Sequence, residues 1–571
     1  MSSVSRITPS ELRATAAARQ NIDEEIARLE ARIIALKTSR NALSPITCLP
    51  QEIIQDIFVL ASARAYPSSG TTFGKTSLLI SWVCRSWREL AHRASALWSF
   101  IDFINPTWVK AALSLTQSRP LDFHLYFLVG YRKDPYELAL SCLSNLSRVR
   151  TLDIISSAGG LDFFKPPHQL WTNPAAPLLV DLHLHGVSIP SNFLAKAFPA
   201  LQSLHLASCE FSWESLPLHA GVKHLTIDYP ISKVSADELV HKLRALSPNV
   251  EGLYFSHILL PTVTNPISIH GLHPAPTRLE FNQLKGFSMN ETHAPPVTYI
   301  LDQLSLPRHR EAINIQVLGG LEQFDTVRAL VSCRGIEKWP VESLRVGLED
   351  EDITLSIWEN WVTGWKDEGE DEVHHLVGTT INFQRFGGLA ETIPVFDLLP
   401  LSPLRSLTLA GGYFTEHRSD LTDYFNSAHG TIERLNVSIY FIPAFTAMIH
   451  QQNQHLREVI GHDQEIKEEE IDDEMKIRLR DLLTFHQLTR LHFDGESEGY
   501  YHFTRRYYVV LQEWLMWRKV AGLGLKDLTI ADMIVPSSDY LKALYEGVVE
   551  RFECSGFEER EDEGEAFEFT G

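Results

Sequence analysis

A six-residue apolar template, φ-x-x-φ-x-φ, recurs along most of the chain and restricts its folding more than any other feature. It reads Val149-Leu152-Ile154, Leu179-Leu182-Leu184, Leu201-Leu204-Leu206, Val222-Leu225-Ile227 and Val250-Leu253-Phe255. It continues as Leu284-Phe287-Met289, Val341-Leu344-Val346, Leu404-Leu407-Leu409, Ile432-Leu435-Val437, Leu488-Leu491-Phe493 and Leu525-Leu528-Ile530. The early copies start 30, 22, 21, 28 and 34 residues apart, and two later gaps of 57 and 63 residues each leave room for a degenerate copy. Those copies would sit near Ile313-Ile315 and Ile381-Phe383. Residues two apart share one face of a strand, so each copy predicts a short strand with an apolar face that it cannot bury alone. Stacked in parallel, each strand covers its neighbour, with a helix or irregular return on the outer side.

This is the L-x-x-L-x-L pattern of leucine-rich repeats in an irregular form. Segments such as 235–248, with Leu239, Leu243 and Leu246 on one side, suit the returns. The Asn or Cys that usually follows each repeat strand is mostly missing, Cys209 being one of the few matches. Unrelated α/β strands sharing the same pattern are the alternative.

Residues 1–44 read as one helix and a short coiled coil. Ile22, Ile26, Leu29, Ile33, Leu36 and Leu43 fall at heptad a/d spacing, Leu12 extends the phase, and Arg19 and Arg40 interrupt it. Ser10 can cap the start and Pro45 stops the helix. A helix folded back on the next domain, or left in solvent, is the alternative. Residues 45–104 differ in texture. Leu49, Ile53, Ile57 and Leu60 line one helical face and Ile54 with Phe58 widens it, with Thr47 and Pro50 placed for an N-cap and an early helical proline. After a polar loop from Pro67 to Thr76, a second helical run carries Leu79, Val83, Trp87 and Leu90, with Trp82 and Trp98 nearby. Sixty residues with this much apolar surface predict a compact helical unit that needs a partner to cover it.

The run Leu49-Pro50-x-Glu52-Ile53-Ile54-x-x-Ile57-Phe58, followed by Val83-Cys84-Arg85-x-Trp87-Arg88-x-Leu90-Ala91, resembles the F-box motif. It is most similar to the F-box-like proteins of mushroom-forming fungi (basidiomycetes), which place a short helical stretch just before the motif. The stretch between the two halves, Ala61 to Thr76, is longer than in a compact F-box. The resemblance implies docking on a Skp-type adaptor, and through it on a cullin scaffold, by the matching positions Leu49, Pro50, Ile53, Ile54, Ile57, Val83, Cys84 and Trp87. Several of these, Ile57 and Val83 above all, could equally form the module's own core.

The expected fold is therefore α + α/β. An N-terminal helix (1–44) and a small all-α F-box-like module (45–104) precede an irregular leucine-rich-repeat solenoid (105–550) and a disordered acidic tail (551–571).

Charge and motifs narrow the function. With 51 Lys+Arg against 72 Asp+Glu the net charge is −21, the wrong sign for neutralising phosphates, so no nucleic-acid partner is expected. Four acidic stretches, Glu349–Asp352, Asp367–Glu372, Glu465–Glu474 and Glu558–Glu568, read as solvated faces or as sites for a basic segment. Six scattered cysteines with no CxxC pair support neither a zinc site nor a disulfide framework. With no signal-peptide h-region and no 18-residue apolar run, the expectation is a cytoplasmic or nuclear protein with no membrane partner.

Gly70–Thr76 is one residue short of a P-loop and follows a helix rather than a strand. Cys333-Arg334-Gly335 lacks the Gln-Ala of a caspase nucleophile motif. His183 with His185, and His374 with His375, offer metal-like pairs without a carboxylate or Cys at a matching offset. No catalytic residue, metal or cofactor is expected.

Two classes compete. One is a non-enzymatic substrate-recognition subunit of a Skp–cullin–F-box ubiquitin ligase, with an unknown target protein bound by the repeats. The other is an interaction scaffold in which residues 45–104 merely cap the first strand.

Overall fold

The computed structural model describes residues 9–63, 73–103, 106–127, 143–156, 176–195, 198–246, 249–261, 278–291, 293–306, 312–318, 323–334, 341, 343–349, 352–358, 379–384, 396–399, 401, 404–411, 431–460, 471–495, 503–535, 537–555 and 558–559. Gly70–Thr72 of the P-loop-like run, His374 and His375, the Asp367–Glu372 stretch and the tail from residue 560 lie outside these residues. The chain divides into two compact units, Met1–Ser203 and Leu204–Gly571.

The first unit opens with helix α1 (Pro9–Ala42), a 3-10 turn at Pro45–Cys48, and helices α2 (Gln51–Ala63), α3 (Phe73–Val83) and α4 (Arg85–Arg93). Strand β1 (Phe100–Asp102) follows directly, then helix α5 (Pro106–Leu115) and strands β2 (Leu121–Phe127), β3 (Val149–Ser156) and β4 (Asp181–His185). β1, β2, β3 and β4 pair in parallel, with Phe123 beside Leu152 and Leu152 beside Leu182. The helices are tied to this sheet: the Trp98 indole donates to the Ala91 carbonyl at 2.6 Å, and the Ser77 hydroxyl donates to the Leu97 carbonyl at 3.2 Å, just before β1. Ile54, Phe58, Leu97, Trp98, Ile101, Phe123, Leu152 and Leu182 share the buried core. Thr47 caps no helix; its hydroxyl donates back to the Ser44 carbonyl, and α2 starts after Pro50, whose carbonyl accepts from the Ile54 N–H.

The second unit is built on a longer, mainly parallel sheet. Its strands are β5 (Ser203–Ala207, starting at the divide), β6 (His224–Asp228), β7 (Gly252–Ser256), the short β8 (Leu279–Glu280), β9 (Gly286–Glu291), the short β10 (Leu304–Ser305) and β11 (Ala312–Leu318). Then come β12 (Ser343–Glu349), β13 (Asp352–Trp358), β14 (Thr379–Gln384), β15 (Ser406–Gly411), β16 (Arg434–Ser438), β17 (Arg490–Asp494), β18 (Asp527–Ala531), β19 (Ile534–Val535), β20 (Arg551–Ser555) and β21 (Glu558–Glu559). β6, β7, β9, β11 and β14 pair in parallel in that order, and β12, β15, β16, β17, β18 and β20 do likewise. β13 joins the two runs antiparallel to both β14 and β12. The helices lie between strands in sequence, as at Ala236–Leu243, Ala294–Gln303, Ile442–Ile460 and Arg505–Val520.

The chain is thus an α/β fold on large, mainly parallel sheet, and the expected class, a separate all-α module followed by an irregular leucine-rich-repeat solenoid, is corrected. Two observations overturn it. The helices of residues 45–98 share a compact unit and a core with β1 to β4 rather than standing alone. In a solenoid each repeat touches only its neighbours, but β11 skips to β14 (Ile313 beside Thr379) and β12 skips to β15 (Leu344 beside Leu407). The physical reason is that φ-x-φ alternation fixes which side chains face the core and leaves the pairing partner open. The ends of the acidic stretch Glu349–Asp352 pair across β12 and β13, Glu349 opposite Asp352, and its two middle residues lie outside the described residues. Arg551–Ser555, expected in a disordered tail, pairs in register with β18.

Strand exits repeat one backbone device. Gly186, Ser208, Tyr229, His257 and Asp532, which follow β4, β5, β6, β7 and β18, all have positive φ. Within the second unit the N–H groups of Ser208, Tyr229, His257 and Asp532 donate to the Asp228, Ser256, Asn290 and Ser555 carbonyls. Those bonds fix the register, at a cost of about 1 kcal/mol for each non-glycine residue held there. At Gly186 a Cβ would lie 2.2 Å from the Ser156 carbonyl oxygen, so only glycine fits.

A buried acid closes the turn after β7. The Glu291 carboxylate accepts the N–H groups of Ile258 at 2.6 Å and Leu259 at 3.2 Å. Burial pushes its pKa up to about 7, against the downward pull of those two donors. A carboxyl whose folded pKa exceeds its unfolded value contributes stability at low pH that is lost as pH rises through the folded pKa. The second unit should therefore lose up to roughly 3 kcal/mol between pH 5 and pH 8 from this group. Glu291→Gln should flatten that part of the stability-versus-pH curve in urea titrations. An unchanged slope would show that Glu291 does not titrate there.

Candidate docking surface

α2 is apolar on two faces. Ile54 and Phe58, one turn apart, are buried in the core, while Ile53, Ile57 and Leu60 run along the adjoining face and are 46%, 38% and 62% exposed. Leu49, in the turn before the helix, is also exposed. A helix that needed only one partner would carry polar residues on that second face.

α3, which packs against α2, is inverted in a more telling way. Its inward positions are Ser77, Ile80 and Ser81, all buried, and its outward positions are Leu79, Trp82 and Val83, 58%, 66% and 59% exposed. The two serines are tolerated inside because their hydroxyls are satisfied by carbonyls, Ser77 donating to Leu97 and Ser81 donating to Leu78 at 2.7 Å. Exchanging the inner and outer sets would bury more apolar area in the isolated chain. The sequence keeps the larger apolar side chains for the outer surface.

Of the positions expected to meet an adaptor, Leu49, Pro50, Ile53, Ile57 and Val83 are exposed on this surface. Cys84 and Trp87 are half-buried; the Trp87 ring lies 4.9 Å from that of Phe58, so it packs partly inward. Ile54 is 4% exposed and belongs to the core. A polar substitution at Ile54 would unfold the helix pair rather than report on docking. Leu60, Leu79 and Trp82 belong to the surface but were outside the expected set. Their spacing from Ile57 and Val83 was the available signal, and the family resemblance does not mark them.

Among the described residues, seven large apolar side chains from Leu49 to Val83 are exposed. Isolated exposed leucines need no explanation, but stripes on two adjoining helices mark an interaction site. At about 1.5–3 kcal/mol for each large side chain fully buried, three or four anchors are enough for a stable complex.

A polar cluster occupies the sheet of the first unit. On β2, β3 and β4 the residues His124, Asp153 and His183 stand side by side in register. Asp153 is buried, with His124 Nδ1 3.1 Å from one carboxylate oxygen and His183 Nδ1 3.1 Å from the other. Burial alone would raise the Asp153 pKa, but the two imidazoles outweigh it and hold the carboxyl well below its usual range. Phe100 stacks on the His124 ring at 4.2 Å. Thus His183 does have a carboxylate neighbour, brought by strand pairing from 30 residues away, where no offset along one strand could reveal it. Among the described residues no group of three or more His, Cys, Asp or Glu side chains is arranged to hold a metal ion, and no helix is long and apolar enough to cross a membrane.

No family model matches the chain, and no curated protein matches it.

Proposed function

We propose that the protein is a substrate-recruiting subunit of a cullin–RING ubiquitin ligase, docking on a Skp-type adaptor through the exposed faces of α2 and α3. The observation that carries this reading is the inversion of α3, with Ser77 and Ser81 inside and Leu79, Trp82 and Val83 outside. The resemblance of Leu49–Phe58 and Val83–Ala91 to the F-box motif names the partner. The rest of the chain, with its sheets, binds a target protein. The subunit performs no chemistry; it holds target lysines near a charged ubiquitin carrier, which raises their effective concentration by orders of magnitude without any new contact.

The scaffold reading rests on the other side of the same helices. Among the described residues β1 pairs only with β2, and α3 packs against β1, so the inner face of the helices does cover a sheet edge. That role uses Ser77, Ile80 and Ser81 and leaves Leu79, Trp82 and Val83 unused.

Co-expression of the tagged full chain with a Skp-type adaptor and a cullin tests the proposal. Both proteins should co-purify with the wild-type chain, and both should be lost with Ile57→Glu/Trp82→Glu while the variant stays folded. Recovery of neither partner with wild type, or undiminished recovery with the variant, would contradict it.

A further inference from the structure

Helix α1 carries a second apolar stripe, independent of the docking surface. Ile22, Ile26, Leu29, Ile33 and Leu36, with Leu43 in the turn just past the helix, are between 48% and 85% exposed. From Thr15 onward nearly every side chain of the helix is exposed, so no described element buries its stripe. A lone helix in water is held by little more than its own hydrogen bonds and pairs such as Glu25–Arg28 (2.7 Å), and this stripe calls for a cover.

We infer that the cover is α1 of a second copy, packed antiparallel, so that the protein is a homodimer through this helix. In heptad terms Arg19, Ile26, Ile33 and Arg40 take the a positions, and Ile22, Leu29, Leu36 and Leu43 take the d positions. The flanking e positions hold Asp23, Glu30 and Lys37, and the g positions hold Glu25 and Arg32.

Charge selects the orientation. A parallel pair sets g against the following e of the other copy, which places Glu25 beside Glu30 and Arg32 beside Lys37, each twice. It also stacks Arg19 on Arg19 and Arg40 on Arg40 in the seam. An antiparallel pair sets a against d. With Ile26 opposite Leu36 and Ile33 opposite Leu29, Arg40 faces Ile22 and Arg19 faces Leu43. All six apolar residues are then covered. The arginines come to the ends of the seam, where their stems pack and their guanidinium groups reach water. Asp23 meets Lys37 twice, and like charges meet only at the axis, Glu30 with Glu30 and Arg32 with Arg32. The sequence is thus self-complementary in one direction and self-repelling in the other.

Light scattering of the full chain after gel filtration at tens of micromolar should give twice the 64.7 kDa chain mass. Ile26→Glu/Ile33→Glu should halve that mass and lower the stability of α1, while the two compact units still unfold cooperatively, because both side chains are exposed in the single chain. For the direction, chains carrying Ile26→Cys and Leu36→Cys are mixed and oxidised, and the linked peptides are identified by mass spectrometry. Mixed 26–36 linkage is expected. A wild-type monomer across that concentration range would overturn the dimer, and a variant that stays dimeric would overturn the role of α1. Predominant 26–26 linkage would overturn the antiparallel arrangement.

Discussion

Arg518→Met should lower the stability of the second unit by about 3–5 kcal/mol, the largest loss expected from any single substitution outside the apolar core. Arg518 lies in the Arg505–Val520 helix and is fully buried. Among the described residues no carboxylate neutralises it; its guanidinium donates to the carbonyls of Thr484 (2.7 Å), Phe485 (3.1 Å) and Leu488 (3.1 Å) and sits 4.8 Å over the Trp514 ring. Burial pushes its pKa down to about 9, which leaves it charged at neutral pH. The three carbonyls belong to the link between the Asp473–Leu482 helix and β17, where Phe485 is held at positive φ. Methionine keeps most of the volume and removes every donor, and each buried carbonyl left unpaired costs about 1–3 kcal/mol. Lysine should rescue only part of the loss, because one ammonium cannot span three acceptors fixed by a planar fork. Hydrogen exchange in peptides spanning 484–494 and 505–520, followed through a urea titration, checks this. A midpoint shift equivalent to less than 1 kcal/mol would mean that the carbonyls find other donors.

Trp82→Ala should weaken adaptor binding by about 30-fold to 1,000-fold while changing folding stability by less than about 0.5 kcal/mol. The indole is 66% exposed in the free chain and central to the outer face of α3, so truncation removes contact area only in the complex. Ile54→Ala provides the opposite pattern. Its side chain is 4% exposed, so a loss of about 2–5 kcal/mol in stability is expected, with binding affected only through unfolding. The two variants separate a surface anchor from a core residue that the motif resemblance had placed together. Equal effects of Trp82→Ala and Ile54→Ala on stability would remove the distinction.

Much of the strand content was legible because alternation is a local signal. Leu182 and Leu184, Leu225 and Ile227, Leu491 and Phe493, and Leu528 and Ile530 all lie in strands with both members buried. Pairing order was not legible. Nothing in Ile313-Ile315 says that its neighbour is Thr379 onward, nor that β13 turns back on β12 across Glu349 and Asp352. Those choices depend on chain geometry between strands, and they are what turned an expected solenoid into an α/β sheet fold. At the candidate site the apolar positions could be read, but their sides could not. Ile53 and Ile54 look equivalent in a helix apolar on both faces, and α3 hides its direction because its serines point inward. Arg518 and Asp153 were missed for a related reason. A charged residue in WLMWRKV or TLDII reads as surface until the carbonyls or imidazoles that satisfy it are brought in from elsewhere in the chain.

The outer faces of α2 and α3 are proposed as an apolar docking surface for a Skp-type adaptor. Calorimetric titration of the purified adaptor into the full chain at several temperatures tests it most directly. Burial of apolar surface gives a negative heat-capacity change, so wild type should bind one adaptor per chain with that sign, and Ile57→Glu/Trp82→Glu should show no binding heat. Absence of binding by folded wild type, or binding by the variant with the same affinity and heat-capacity change, would contradict the claim.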